Sequence, residues 1–196
     1  MSKEHMIVVG GGLVGAAIGY GAARRGLKVT VLDQGDAALR ASRGNFGLVW
    51  LSSKGGGMPR YAQWTRDAVR QWPELHRELL SLTGVDRVLE QTGGFWLGFS
   101  EKEVQARADL LEKINKAVGD IPYQMMGPAE LRQHLPGLGP KVVGGSFGTH
   151  DGHANPLMLL RALHAGLKMK GADIISGVDV VAVSQDPGTG KFTARS

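Results

Sequence analysis

The chain has 196 residues, enough for one good core or one and a half, so one domain with an insertion or two small domains is expected. It has no cysteine, which excludes disulfides, thiolate metal sites and cysteine nucleophiles within these residues and fits a reducing, cytoplasmic setting. The net charge of +5 is spread over Arg24, Arg25, Arg60, Arg66, Arg70, Lys168 and Lys170 with no interleaved aromatics, so solvated helix faces are expected and a nucleic-acid surface is not.

With 42% hydrophobic residues and 30 glycines, the composition is that of a soluble globular protein with many tight turns. No run reaches the roughly 18 apolar residues of a membrane span. The apolar segment after Lys3 is interrupted by glycines and lacks a cleavage site, so it reads as folded structure rather than a signal peptide.

Residues 6–9, Met-Ile-Val-Val, predict a short strand buried on both faces of a parallel sheet. It runs into Gly10-Gly11-Gly12-Leu13-Val14-Gly15, where Gly10, Gly12 and Gly15 fit the spacing G-x-G-x-x-G. In that pattern the first glycine makes the turn, the second lets backbone approach a pyrophosphate, and the third lets helix pack on strand. Residues 12–25 are rich in alanine and glycine and predict a helix whose N-terminus offers N–H groups and a positive dipole end to phosphate. Gly26 stops it, residues 28–32 form a second strand, and Asp33 ends that strand where a carboxylate can accept from an adenosine ribose. Strand, turn, helix, strand and acid together point to a dinucleotide.

Residues 34–53 show no period, and the small and polar run Ala41-Ser42-Arg43-Gly44-Asn45-Phe46-Gly47 suits backbone laid against an anionic or planar ligand. Trp50 and Lys54-Gly55-Gly56-Gly57 follow. From residue 59 to 81, Tyr61, Trp64, Ala68, Trp72, Leu75, Leu79 and Leu82 recur at three and four, predicting an amphipathic helix kinked or split at Pro73 and ended by Gly84. Its tryptophans read as core. Residues 85–99 are strand material broken at Gln91-Thr92-Gly93-Gly94, with 95–99 the surer strand.

Ser100 and Glu103 form a capping box for a helix with Val104, Ala108, Leu111, Ile114 and Val118 on one face, closed by Gly119. A short helix starts at Pro128 and cannot pass Pro136. Residues 141–147 predict a strand and His150-Asp151-Gly152-His153 a turn, whose spacing fits no zinc motif, so no metal is expected. Asn155 caps a helix from Pro156 to Lys170, with Gly171 past its end. Residues 172–176 and 178–184 predict strands, 186–190 a hairpin turn, and 191–196 the strand after it.

Four stretches, spanning nearly the whole chain, carry a resemblance: residues 8–33, the loop 41–50, the block 84–98 with Thr92-Gly93-Gly94, and residues 144–172 with Asp151-Gly152 and Asn155-Pro156. In this order and spacing they resemble the N-terminal half of FAD-dependent oxidoreductases of the D-amino acid oxidase family, the group of glycine oxidase, sarcosine oxidase and opine-oxidase flavin subunits. Gly47-Leu48-Val49-Trp50 and Lys54-Gly55 most resemble the opine-oxidase flavin subunits and D-hydroxyproline dehydrogenases.

The resemblance implies an α/β fold with a Rossmann-like FAD-binding domain of the glutathione-reductase type and an inserted α+β substrate-domain segment. The FAD-binding domain would comprise 1–84 and 152–196, and part of the substrate domain 85–151. It implies FAD held at its pyrophosphate by Gly10, Gly12 and Gly15 with the intervening Leu13 and Val14, and at its ribose by Asp33 and the adjoining Gln34. Ser42, Arg43, Gly44 and Asn45 match the loop around the phosphates and one flavin edge, and Val180 the valine whose backbone meets adenine. Trp50 and Lys54 are the candidate substrate-side residues, although Lys54 reads more readily as a solvated loop lysine.

The implied reaction oxidises the CH–NH bond of an amino acid or secondary amine by hydride transfer to flavin N5, the imine then being hydrolysed. No residue of this chain is named as catalytic acid, base or nucleophile. The family's second half, which supplies the substrate-binding arginine, has no counterpart here, so a truncated form is expected. The implied partners are a small amino-acid or amine substrate and either a complementary chain or other subunits of a hetero-oligomeric dehydrogenase. A cytoplasmic place, or one peripheral at the inner membrane, goes with them. Two other readings stay open: an FAD-binding fragment inactive without a complementary chain, and an NAD-dependent Rossmann dehydrogenase.

Overall fold

The structure, a computed structural model, describes residues 4–35 and 41–196. In chain order the elements are β1 (His5–Val9), α1 (Leu13–Arg24), β2 (Lys28–Asp33), β3 (Leu48–Val49), α2 (Pro59–Thr83), β4 (Leu89–Glu90), β5 (Gly94–Gly98) and α3 (Glu101–Val118). There follow β6 (Tyr123–Met126), α4 (Pro128–His134), β7 (Gly144–Gly148), β8 (Gly152–Ala154), α5 (Pro156–Met169), β9 (Asp173–Ser176), β10 (Ala182–Gln185) and β11 (Phe192–Arg195). They fall into two compact units, Met1–Phe46 with His76–Val88 and Asn155–Ser196, and Gly47–Leu75 with Leu89–Ala154.

The first unit is built on a parallel sheet in the order β1-β2-β9, with Val8 opposite Val31 and Val31 opposite Ile174. Val29 and Val31 alternate inward from β2, as period two demands, and are buried. Helices α1 and α5 approach closely because small residues meet large ones. Gly19 sits beside Leu167, Val29 and Val31, and a Cβ at Gly166 would lie 2.8 Å from the Tyr20 ring. Asn155 caps α5 by accepting from the N–H groups of Leu157 and Met158 at 3.1 Å each. Strands β10 and β11 form a separate antiparallel hairpin, its turn tied by Asp186 accepting from Gly188 and Thr189.

Strand β1 departs from the sequence expectation, because only one of its faces is covered. Val8 is buried, whereas Ile7 is 41% and Val9 53% exposed. β1 is the outermost member of its sheet among the described residues, and the alternating side chains opposite Val8 stand on the open face. Residues 178–181 are likewise not strand: the chain leaves the sheet at Gly177, whose φ of +81° only glycine adopts easily, and pairs again from Ala182.

The second unit holds two antiparallel sheets, β3-β8-β4 and β5-β7-β6. One core gathers Val49, Leu51, Ala62, Val69, Ile114, Ile121 and Ala154, with Trp72 and Leu110 against it. Another, of Met126, Leu131 and Val142, packs beneath Phe95, Leu97 and Phe147. Ser100 accepts from Glu103 N–H to start α3, while the Glu103 carboxylate reaches back to Phe99 N–H at 2.7 Å.

Three expectations are corrected here. Helix α2 is not split at Pro73 but continues through it as one helix, contributing residues 59–75 to this unit and 76–83 to the first. The roughly 3 kcal/mol a proline costs a helix interior is outweighed by packing on both sides of it, at Val69 and Trp72 and at Leu79. The tryptophan stripe divides, since Trp72 packs on the core but Trp64 is 71% exposed and stacks obliquely on Tyr61. Gly152 and His153 lie in β8 rather than in a turn, His153 pairing with Leu48 and Glu90.

Candidate functional site

The glycine turn is set by steric necessity. Gly10 donates its N–H to Leu32 O at 2.7 Å and turns with φ +94°, so β1 ends beside β2 and the chain reverses into α1. A Cβ at Gly15 would overlap the Gly10 carbonyl oxygen, so only glycine lets the first turn of α1 lie this close to the strand. Gly12 is the N-cap and brings no side chain, and the first turn of α1 contains no acidic residue. The opening N–H groups of α1 have no intrahelical acceptors, and the helix dipole places positive potential there.

Three side chains converge on this turn. Asp33 Oδ2 accepts from Gly11 N–H at 2.7 Å and Oδ1 from Gly35 N–H at 2.9 Å. Ser42 Oγ accepts from Leu13 N–H at 3.0 Å, and a Cβ at Gly12 would meet the same oxygen at 2.9 Å. His164, from α5, approaches Gly11 O with Nε2 at 2.7 Å. A carbonyl only accepts, so Nε2 carries the proton and donates.

Gly10, Gly12, Leu13, Gly15, Asp33 and Ser42 are thus brought together. Val14 is exposed on the first turn, and Gln34, Arg43, Gly44 and Asn45 are exposed beside the assembled group in sequence. Val180 is half-buried, in the loop whose Val178 N–H donates to Asp33 O at 3.0 Å.

Trp50 and Lys54 belong to the second unit. Trp50 is half-buried against Gly94, where a Cβ would lie 2.8 Å from its ring, and Lys54 is exposed in the turn after Leu51.

Behind that turn lies a buried polar network. Asp151, fully buried, accepts from Leu51 N–H at 2.5 Å, Ser52 N–H at 2.9 Å and the Ser52 hydroxyl. Arg107 donates to Ser52 Oγ and Ser146 Oγ, each at 3.0 Å, and its guanidinium lies 5.5 Å over the Trp96 ring. Burial lowers the Arg107 pKa, and the Asp151 charge opposes that. The His150–His153 segment therefore commits its aspartate to backbone and hydroxyl donors, and among the described residues no group of three or more His, Asp or Glu could hold a metal. No helix of the described residues is long and apolar enough to cross a membrane.

Sequence reasoning missed His164 and Arg107. The signal for His164 was one imidazole in a mostly apolar helix, adjoining the buried Leu163. Arg107 could have been found as the cation among the apolar positions of α3.

The chain matches the family described as DAO, FAD dependent oxidoreductase, over residues 5–195. It belongs to this FAD-dependent oxidoreductase family. One of the opine oxidase subunits of Agrobacterium tumefaciens (strain Ach5) is 40% identical over 197 residues, covering 100% of this chain and 53% of that protein. Glycine oxidase of Bacillus licheniformis is 25% identical, covering 100% of this chain and 52% of that protein. Among solved structures, glycine oxidase from Geobacillus kaustophilus superposes with a TM-score of 0.83 at 25% identity, covering 96% of this chain and 52% of that one. The chain spans about half the length of the curated relatives it matches.

The residues present fit the family's cofactor. A diphosphate needs close backbone approach and no acidic neighbour in the first turn, and Gly12 at the head of α1 meets both conditions. When bound, FAD supplies the two-electron redox chemistry.

Proposed function

We propose that this chain forms the FAD-binding part, and a portion of the substrate side, of an enzyme that oxidises the CH–NH bond of a small amino acid or secondary amine of opine, D-amino acid, glycine or sarcosine type. The observation that carries the reading is the convergence of Asp33 and Ser42 on the side-chain-free head of α1, in a chain 40% identical over its whole length to one of the opine oxidase subunits. Gly10, Gly12, Leu13, Val14 and Gly15 would receive the diphosphate, Asp33 and Gln34 the ribose, the 42–45 loop the phosphates and a flavin edge, and Val180 adenine. FAD would thus belong to the first unit, the sequence expectation for that domain being 1–84 and 152–196. The second unit, with Trp50 and Lys54, would face substrate. Hydride transfer to flavin followed by imine hydrolysis is the proposed course, and a cytoplasmic or peripheral inner-membrane setting goes with it.

The native protein should be yellow, and should be reduced anaerobically by an opine, sarcosine, proline, glycine or a D-amino acid. A colourless protein that takes up no added FAD would sink the reading. A second reading is an FAD-binding chain that turns over substrate only when joined by others, favoured by the Agrobacterium relative being one component of a multi-chain opine oxidase by name. Reconstituting activity by adding further chains separates the two. The NAD-dependent alternative gives way to the family match over residues 5–195.

A further inference from the structure

We infer that His164 is a positioning residue for the FAD diphosphate, acting through the Gly11 carbonyl; this rests on the reading that the glycine turn holds that diphosphate. Gly10, Gly11 and Gly12 are three consecutive residues without Cβ atoms, so sterics alone leave the peptide planes between them free to rotate. An anion site made of backbone N–H groups works only if those planes are fixed beforehand, since ordering them on binding costs affinity. The structure fixes Gly11 from both ends. Its N–H is held by Asp33 at 2.7 Å and its C=O by His164 Nε2 at 2.7 Å.

The peptide joining Gly11 to Gly12 is trans, so its C=O and N–H point in opposite directions. Holding the Gly11 carbonyl toward α5 therefore turns the Gly12 N–H away from α5, at the N-cap of α1. A flip of this plane would exchange that N–H for a carbonyl oxygen and present a partial negative charge to the phosphate. His164 can brace the plane because α5 is itself fixed, through buried Leu163 and Leu167 and the close approach of Gly166 to Tyr20. The bond needs only the Nε2 proton, present in that neutral tautomer and in the cation.

The experiment titrates the native apoprotein and its variants with FAD and with ADP, which carries the diphosphate without the flavin. His164→Leu should weaken both ligands by about tenfold, the upper end for one neutral hydrogen bond. His164→Gln, whose Nε2 can reach the carbonyl, should bind within about threefold of wild type, a rescue that simple cavity filling by leucine would not need. Unchanged affinity in His164→Leu overturns the inference, as does weakened FAD with unchanged ADP. Should His164→Leu not fold, His164→Asn, too short to reach, takes its place with the same criteria. Wild-type protein that binds neither ligand overturns the FAD assignment of the turn itself, and the inference with it.

Discussion

The Asp33 carboxylate accepts the Gly11 N–H at 2.7 Å, tying the end of β2 to the middle of the glycine turn. Its other oxygen takes the Gly35 N–H at 2.9 Å, so one side chain orders the backbone on both sides of the strand end. Asp33→Asn replaces one acceptor with a donor and sets it against an N–H. It should cost roughly 1–3 kcal/mol of stability and weaken FAD, read by urea unfolding and by flavin titration. If both stay at wild-type values, the brace is idle.

Asp151 and Arg107 are buried and joined through the Ser52 hydroxyl, so removing one leaves a buried charge without its counterpart. Asp151→Ala alone should cost about 3–5 kcal/mol in chemical denaturation. Asp151→Ala with Arg107→Met should cost less than the sum of the two single changes, and additive losses would show that the residues do not communicate.

Tyr20 donates its hydroxyl to Glu78 at 2.6 Å, and Glu78 also pairs with Arg24 at 2.8 Å. Burial first, then the hydrogen bond and charge of Glu78, raise the Tyr20 pKa well above the ordinary 10.0, against the pull of Arg24. The neutral phenol is thus favoured by folding. Its contribution is complete below pH 10.0 and is lost progressively as pH rises above it. Melting curves above that pH should show a loss in wild type that is smaller in Tyr20→Phe.

Trp64 and Trp72 share a helix and a residue type but not an environment. Trp64→Gln should shift stability by no more than about 0.5 kcal/mol, whereas Trp72→Ala should cost about 3 kcal/mol. Equal effects in urea unfolding would contradict the exposure of Trp64.

The βαβ unit around Gly10, Gly12, Gly15 and Asp33 was legible because each of its requirements is local and is written in residue type: no Cβ where backbone crowds, an acid where a strand ends. Ser42 was legible as part of a small, polar run suited to an anionic or planar ligand, but its place in the cofactor loop came from family likeness, since no period marks that loop. His164 was hidden, because its partner Gly11 lies 153 residues away in sequence and a helical histidine carries no sign of what it faces. Pro73 misled because a breaker acts through local energy, while α2 is held by packing along its length. Strand β6, Tyr-Gln-Met-Met, has too little alternation to be read without its partner β7.

Strand β1 also bears on how the protein can be handled. Its outer edge has no strand partner among the described residues, and Ile7 and Val9 stand exposed on the face opposite Val8. Such an edge is a template on which another molecule's strand can form. Loss of material in solution would then follow concentration rather than temperature, and a protein that melts well could still scatter light on standing. A charge at this edge, as in Ile7→Lys, should raise the attainable concentration while leaving the melting temperature nearly where it was.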